Sequence, residues 1–153
     1  MVRVQEAPFD VGAELASLSG GRTDIGAVAS FVGLVRDHAG SDGEGGQIAA
    51  MTLEHYPGMT EKKLLEIESE ARARWPLQAS LIVHRYGRML PGEPIVLVAT
   101  ASQHRAAALD SCAFLIDWLK TKAPFWKLEE GDGAEQWVEA RDSDDEAAVR
   151  WQR

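Results

Sequence analysis

The run Ile95-Val96-Leu97-Val98-Ala99 constrains the fold of this chain more than any other segment. Five consecutive apolar residues give a strand no polar face, so it belongs in the centre of a sheet covered on both sides. Directly after it comes the strongest helical pattern in the sequence. Ser102 stands as N-cap, and Ala108, Leu109, Cys112, Leu115, Ile116 and Leu119 form one stripe. Pro124 stops this helix, because it lacks a donor and biases Ala123 to extended geometry.

The remaining segments fit around that unit. A short helix is expected from Val11 to about Leu18, capped by Asp10 and ended by Gly20-Gly21. Gly26 to Arg36 is rich in small and β-branched residues and reads as a strand with close neighbours. Ile48 to His55 reads as a strand closed by Tyr56-Pro57-Gly58. Leu64, Ile67, Ala71 and Trp75 define a helix from about Thr60 to Trp75, stopped by Pro76. Leu81 to Tyr86 joins the central strand through Leu90-Pro91-Gly92-Glu93, where Pro then Gly suits a type II turn. Phe125 to Leu128 and Trp137 to Ala140 read as short strands around Gly131-Asp132-Gly133, and Ser143-Asp144-Asp145-Glu146 as a capping box opening a helix to about Trp151. Strands and helices interleave without regular βα alternation, so the predicted class is α+β. No repeat or composition break divides residues 1–153, which predicts one domain.

Composition narrows the functional classes. The 153 residues are 45% hydrophobic and 26% charged, as in a globular enzyme. Such a length buries roughly 70% of the unfolded surface. The single cysteine, Cys112, allows no internal disulfide, which favours the cytoplasm. No stretch approaches the roughly 18 apolar residues of a membrane span, and the first residues have no signal-peptide run. A net charge of -8 argues against nucleic acid as a partner. The charge is uneven: Glu129 to Glu146 holds nine acidic residues against Arg141, whereas His104 to Lys127 holds Arg105, Lys120, Lys122 and Lys127 against Asp110 and Asp117. An anion is expected near the second stretch.

Several constellations carry chemistry, each with a plainer alternative. His104 and Arg105 fall where free N–H groups and the macrodipole of a helix already favour an anion; the alternative is that both face solvent or an acidic neighbour. Lys120 and Lys127 lie on either side of Pro124, so they converge only if the chain folds back. In an extended segment Phe125, Lys127 and Glu129 share one face and Trp126 and Leu128 the other. Paired lysines partly desolvated by Trp118, Phe125 or Trp126 would titrate low enough to act as nucleophile or base; otherwise they are surface charges. The glycines between Asp37 and Gln47 match neither a P-loop nor a dinucleotide fingerprint, and read as a solvated loop rather than a phosphate cradle. His38, His55, His84 and His104 have no metal-ligand spacing, and Cys112 falls inside the apolar stripe, as a core residue rather than a thiolate.

Six segments resemble, in order and over nearly the whole chain, the large subunit of molybdopterin synthase. They are FVGLVRDH (Phe31 to His38), LEHYPGM (Leu53 to Met59), HRYG (His84 to Gly87), SQHR (Ser102 to Arg105), LKTKAPFWK (Leu119 to Lys127) and WVEARDSD (Trp137 to Asp144). The resemblance implies an α/β hammerhead fold with a mixed or antiparallel sheet and two main helices. It implies a homodimer, extended to a heterotetramer by two small ubiquitin-like subunits. Their C-terminal Gly-Gly thiocarboxylate donates sulfur to cyclic pyranopterin monophosphate, in two transfers that form the dithiolene, with no metal or cofactor. Carried over by position, Arg36, His104 and Arg105 bind the pterin phosphate, with Leu34 and Val35 as backbone contacts, and Lys120 and Lys127 are catalytic. Leu128, through its backbone, Glu129 and Arg141 are further pocket residues. The alternative function is a scaffold that binds the small subunit without turnover.

Overall fold

The computed structural model describes residues 1–40, 45–131, 133–138 and 142–152. Among the described residues, eight strands and four helices follow one another as β1 (Val2–Gln5), α1 (Val11–Ser19), β2 (Ala27–Leu34), β3 (Ala50–His55), α2 (Met59–Arg74), β4 (Leu77–Arg85), β5 (Gly87–Met89), β6 (Pro94–Ser102), α3 (Arg105–Lys122), β7 (Phe125–Gly131), β8 (Ala134–Val138) and α4 (Asp142–Val149). They form two four-stranded sheets, ordered β1-β4-β6-β2 and β5-β3-β7-β8. β1 and β4 pair in parallel and the other described strand pairs are antiparallel, so the first sheet is mixed and the second antiparallel. The expected α+β class holds.

The apolar run of β6 lies inside the first sheet, between β4 and β2, and its two faces enter different cores. Val96 and Val98 pack with Ile82 under α2 and α3, together with Leu64, Ala108, Phe114 and Leu115. Leu97 and Ala99 point the other way, with Leu81 and Val83, against Val11, Leu15 and Leu18 of α1. Both faces are therefore dry, which is why the strand carries no polar alternation. A third cluster of Val35, Met51, Leu53 and Met89, with Ile95 against it, joins the two sheets.

Asp10 caps α1 as expected, accepting from the Ala13 N–H at 2.8 Å. Gly92, at φ +89, occupies the turn position whose backbone conformation strains any L side chain. Other expectations are corrected. Ser102 does not cap α3: it is the last residue of β6 and its hydroxyl donates to the Pro76 carbonyl at 2.9 Å, so His104 takes the N-cap position. Leu109 is 60% exposed, while Phe114 and Ser111 are fully buried on the same helix. The stripe is thus rotated from the one the spacing suggests. Strands β1 and β5 were not anticipated, because four and three residues are too short for a periodic signal. β4 begins at Leu77, four positions before Leu81, and α4 begins at Asp142, which puts Ser143 inside its first turn. The base of the segment after Asp37 is tied by an Ile48 N–H to Asp37 carbonyl bond of 2.7 Å and a His38–Gln47 bridge. Residues 41–44 of that glycine-rich segment, and residues 139 and 140 of the expected last strand, lie outside the described residues.

Candidate active site

The chain reverses direction between α3 and β7. Ala123 is extended at φ -79, ψ 132, as the following Pro124 requires, and the Phe125 N–H donates to the Ala123 carbonyl at 3.0 Å. This turn separates Lys120, in the last turn of α3, from Lys127, two residues beyond Phe125 on β7. Phe125 lies flat on His84 of β4, with ring centroids 3.7 Å apart and planes 17° from parallel. His55, opposite Phe125 in the β3–β7 register, stands 4.5 Å from the Tyr86 ring. Trp126 is half exposed on the opposite face, as the period of two predicts. Lys127 is half-buried, with Nζ 3.7 Å from a Glu129 carboxylate oxygen, so Glu129 does face the same space. Trp118 instead lies under Lys122, 5.2 Å away, and only Phe125 of the three proposed rings belongs to this site.

His84 is the unforeseen member. It is 5% exposed and its Nδ1–H donates to the Arg85 carbonyl at 2.8 Å. Burial pushes its basicity down to about 3; the bond to Arg85 opposes this, and the nearby positive charge of Lys120 and then His55 adds to it. The ring is neutral throughout the ordinary pH range. The signal lay in the sequence, since a lone histidine follows Leu81-Ile82-Val83, and a histidine in an apolar strand is held uncharged. His55 is similarly anchored. The Thr60 hydroxyl donates to the Tyr56 carbonyl at 2.9 Å and faces His55 Nδ1 at 3.1 Å, so Nδ1 carries the proton.

The anion-binding candidates divide between two ends of the molecule. Arg36 is exposed just beyond β2, beside a groove of about 480 Å³ lined by Val35, Arg36, Asp37, His38, Pro91 and Gly92. His38 is exposed there, with its Nδ1 paired to Asp37 at 2.8 Å. Leu34 is exposed at the strand end. The Val35 backbone is already occupied, its N–H by the Glu93 carbonyl at 3.0 Å and its carbonyl by the Gly92 N–H at 2.8 Å. Leu128 lies on the outer face of the second sheet, between Thr52 and Trp137. Arg141 lies outside the described residues.

His104 and Arg105 open α3, exposed, with no acidic residue in the first turn. They sit at the far end. Ala27 pairs with Ser102 and Leu34 with Pro94, so the length of β2, roughly 23 Å, separates them from Arg36. Arg105 and Lys120 are fifteen residues apart on one helix, roughly 22 Å. One copy of the chain therefore pairs Lys127 with Glu129 and puts Lys120 at the near end of α3, with Arg36 at the same end of the sheet, while His104 and Arg105 lie at the other end. Among the described residues no three His, Cys, Asp or Glu side chains cluster as metal ligands would.

The profile of the family described as MoaE protein matches residues 4–122. The chain belongs to the MoaE family, the catalytic subunits of molybdopterin synthase. It is 54% identical over 151 residues to the molybdopterin synthase catalytic subunit of Pseudomonas aeruginosa, covering 99% of this chain and 98% of that one. The Salmonella typhimurium catalytic subunit is 50% identical over 148 residues, covering 97% and 95%. Among solved structures, a MoaE protein from Burkholderia ambifaria superposes with a TM-score of 0.82 at 51% identity, covering 99% of this chain and 97% of that one. Molybdopterin synthase from Staphylococcus aureus gives 0.80 at 28% identity, covering 90% and 96%. The family profile ends before β7, so the MoaE relatives, not the profile, extend over Lys127.

Proposed function

We propose that this chain transfers sulfur to cyclic pyranopterin monophosphate, taking it from the C-terminal Gly-Gly thiocarboxylate of a small ubiquitin-like subunit, in the cytoplasm. The observation that carries the reading is the α3–β7 reversal, with Lys120 just before it and Lys127 two residues beyond Phe125, whose ring stacks on His84, beside the Glu129 carboxylate. A thiocarboxylate and a phosphorylated pterin are both anionic, and negative charge moves from the sulfur onto the pterin when sulfur attacks. Lysine ammonium groups stabilise such charge where it develops, and a neutral lysine accepts a proton. We assign Lys120 to the terminal carbonyl of the small subunit and the substrate, and Lys127 to charge stabilisation or proton transfer. Glu129 holds Lys127 in place.

A homodimer would complete the anion site. β2 is the outer edge of the first sheet, and Val28, Phe31 and Leu34 on it are exposed by 43%, 37% and 53%. Such an edge invites strand pairing. If two copies of β2 pair antiparallel about a twofold axis between Ser30 and Phe31, Ala27 of one meets Leu34 of the other. His104 and Arg105 of one copy then approach Arg36 of the second, and the pterin phosphate binds between them. Two small subunits on this dimer make a heterotetramer. Among the described residues no helix is long and apolar enough to cross a membrane.

The test is a defined reaction of this chain, cyclic pyranopterin monophosphate and a thiocarboxylated small subunit, read by fluorescence of the oxidised pterin product. Product that requires all three components is expected. Binding of the small subunit without product would leave a scaffold, and absence of binding would remove the partner assignment.

A further inference from the structure

His84 has a geometry that packing alone does not require. Its Nδ1–H is committed to the Arg85 carbonyl, so in the neutral ring Nε2 is the sole acceptor. The groups around it come from four elements. Phe125 of β7 covers its face, Lys120 at the end of α3 puts a positive charge near it, and His55 of β3, 6.1 Å from the Phe125 ring, has its own Nδ1–H on Thr60. The adjacent Arg85 guanidinium is turned away, to the Glu6 carbonyl at 3.0 Å and toward Glu93 at 3.5 Å. Of these neighbours, Lys120 brings a donor to match the Nε2 lone pair.

We propose that His84 is the positioning residue of the lysine pair: its Nε2 accepts a hydrogen bond from Lys120 Nζ, while its stack on Phe125 fixes the strand that carries Lys127. Lys127 lies two residues beyond Phe125 on the same face, roughly 7 Å along the strand. One buried ring thus indexes both amines across the Pro124 break. A protonated imidazole would repel the Lys120 ammonium and lose its acceptor. The burial that holds the ring neutral keeps the acceptor available across the ordinary pH range. The consequence for turnover rests on the synthase reading, whereas the placement of Lys120 does not.

The placement is read first on the folded chain alone, by ¹⁵N NMR of the imidazoles. Wild-type His84 should show a protonated Nδ1 and a hydrogen-bonded Nε2. Lys120→Met, at an exposed position that leaves the core untouched, should move the His84 Nε2 resonance to that of a free lone pair and leave His55 unchanged. A His84 Nε2 resonance indifferent to Lys120→Met overturns the proposal.

The second reading is kinetic. His84→Phe keeps a flat ring for Phe125 but offers no acceptor, and should lower kcat by about tenfold or more with KM for the pterin within about twofold. His84→Gln sets an amide oxygen near the Nε2 position and should recover part of that loss. Wild-type kcat in His84→Phe, or equal losses in both variants with unaltered Lys120 titration, would reduce His84 to packing. If wild type makes no product while Lys120→Met still moves Nε2, the synthase reading fails and the placement stands.

Discussion

Lys120→Ala should abolish dithiolene formation while leaving the melting temperature and small-subunit affinity near wild type, because Lys120 is exposed at the end of α3 and contributes little to the core. Product at wild-type rate from this variant would remove Lys120 from the chemistry. His84 gives a prediction of opposite kind. Its basicity is lower folded than unfolded, so below about 6.5 the unfolded chain takes up a proton that the folded chain refuses. Stability is complete above that pH and falls as pH drops toward about 3, by at most roughly 1.4 kcal/mol per unit. Denaturant midpoints measured at pH 7, 6, 5 and 4 should decline, and decline less in His84→Phe. Cys112, 6% exposed and pushed up to about 11 by burial, should resist alkylation in the native protein and react only on unfolding. At this scale the sequence exposed the lysines and the buried cysteine. It hid the pairing of His84 with Phe125, because the two are forty-one positions apart and meet only through sheet packing.

The elements show how the site ends are held apart and held still. Gly26 carries no positive φ, but a Cβ there would lie 2.1 Å from the Gln103 carbonyl oxygen, so the entry to β2 presses directly on the segment leading into α3. Gly26→Ala must displace that segment, which carries His104 and Arg105. We expect a loss of about 1–3 kcal/mol in stability, and in the three-component reaction a rise in KM for the pterin larger than the change in kcat. Unchanged KM would disconnect this contact from anion binding. At the other end of α3, Trp151 and Arg150 hold Asp117, with the indole N–H at 2.7 Å and the guanidinium at 2.6 Å, so α4 braces the helix near Lys120. Element types were legible because the periods of α2, α3 and β6 are long and strong. Their ends were not, since Ser102 is diverted from its capping role by the Pro76 carbonyl, a partner twenty-six residues away.

For the whole molecule the division of charged groups is decisive. Arg36 and Arg105 lie at opposite ends of one sheet, so a site that uses both must combine two copies. Mixing Arg36→Ala and Arg105→Ala chains should then restore activity that neither has alone. Random pairing gives half mixed dimers with one intact site of two, roughly a quarter of wild type. Sedimentation should report a dimer, and Phe31→Glu on the open β2 edge should yield monomer. Failure of the mixture to recover, with dimers present, would place Arg36 and Arg105 in separate functions.

The α+β class, the central strand and its covering helix, the break at Pro124 and the family were legible in the order of residues, because local periodicity, proline geometry and motif order act within short stretches of chain. Only the tertiary structure decided which cations can meet. Convergence of Lys120 with Lys127 depends on the direction of β7 after the break, and the separation of Arg105 from Lys120 on the length of one rigid helix. The neutral imidazole of His84 follows from burial beneath Phe125, a contact between distant strands that no local pattern encodes.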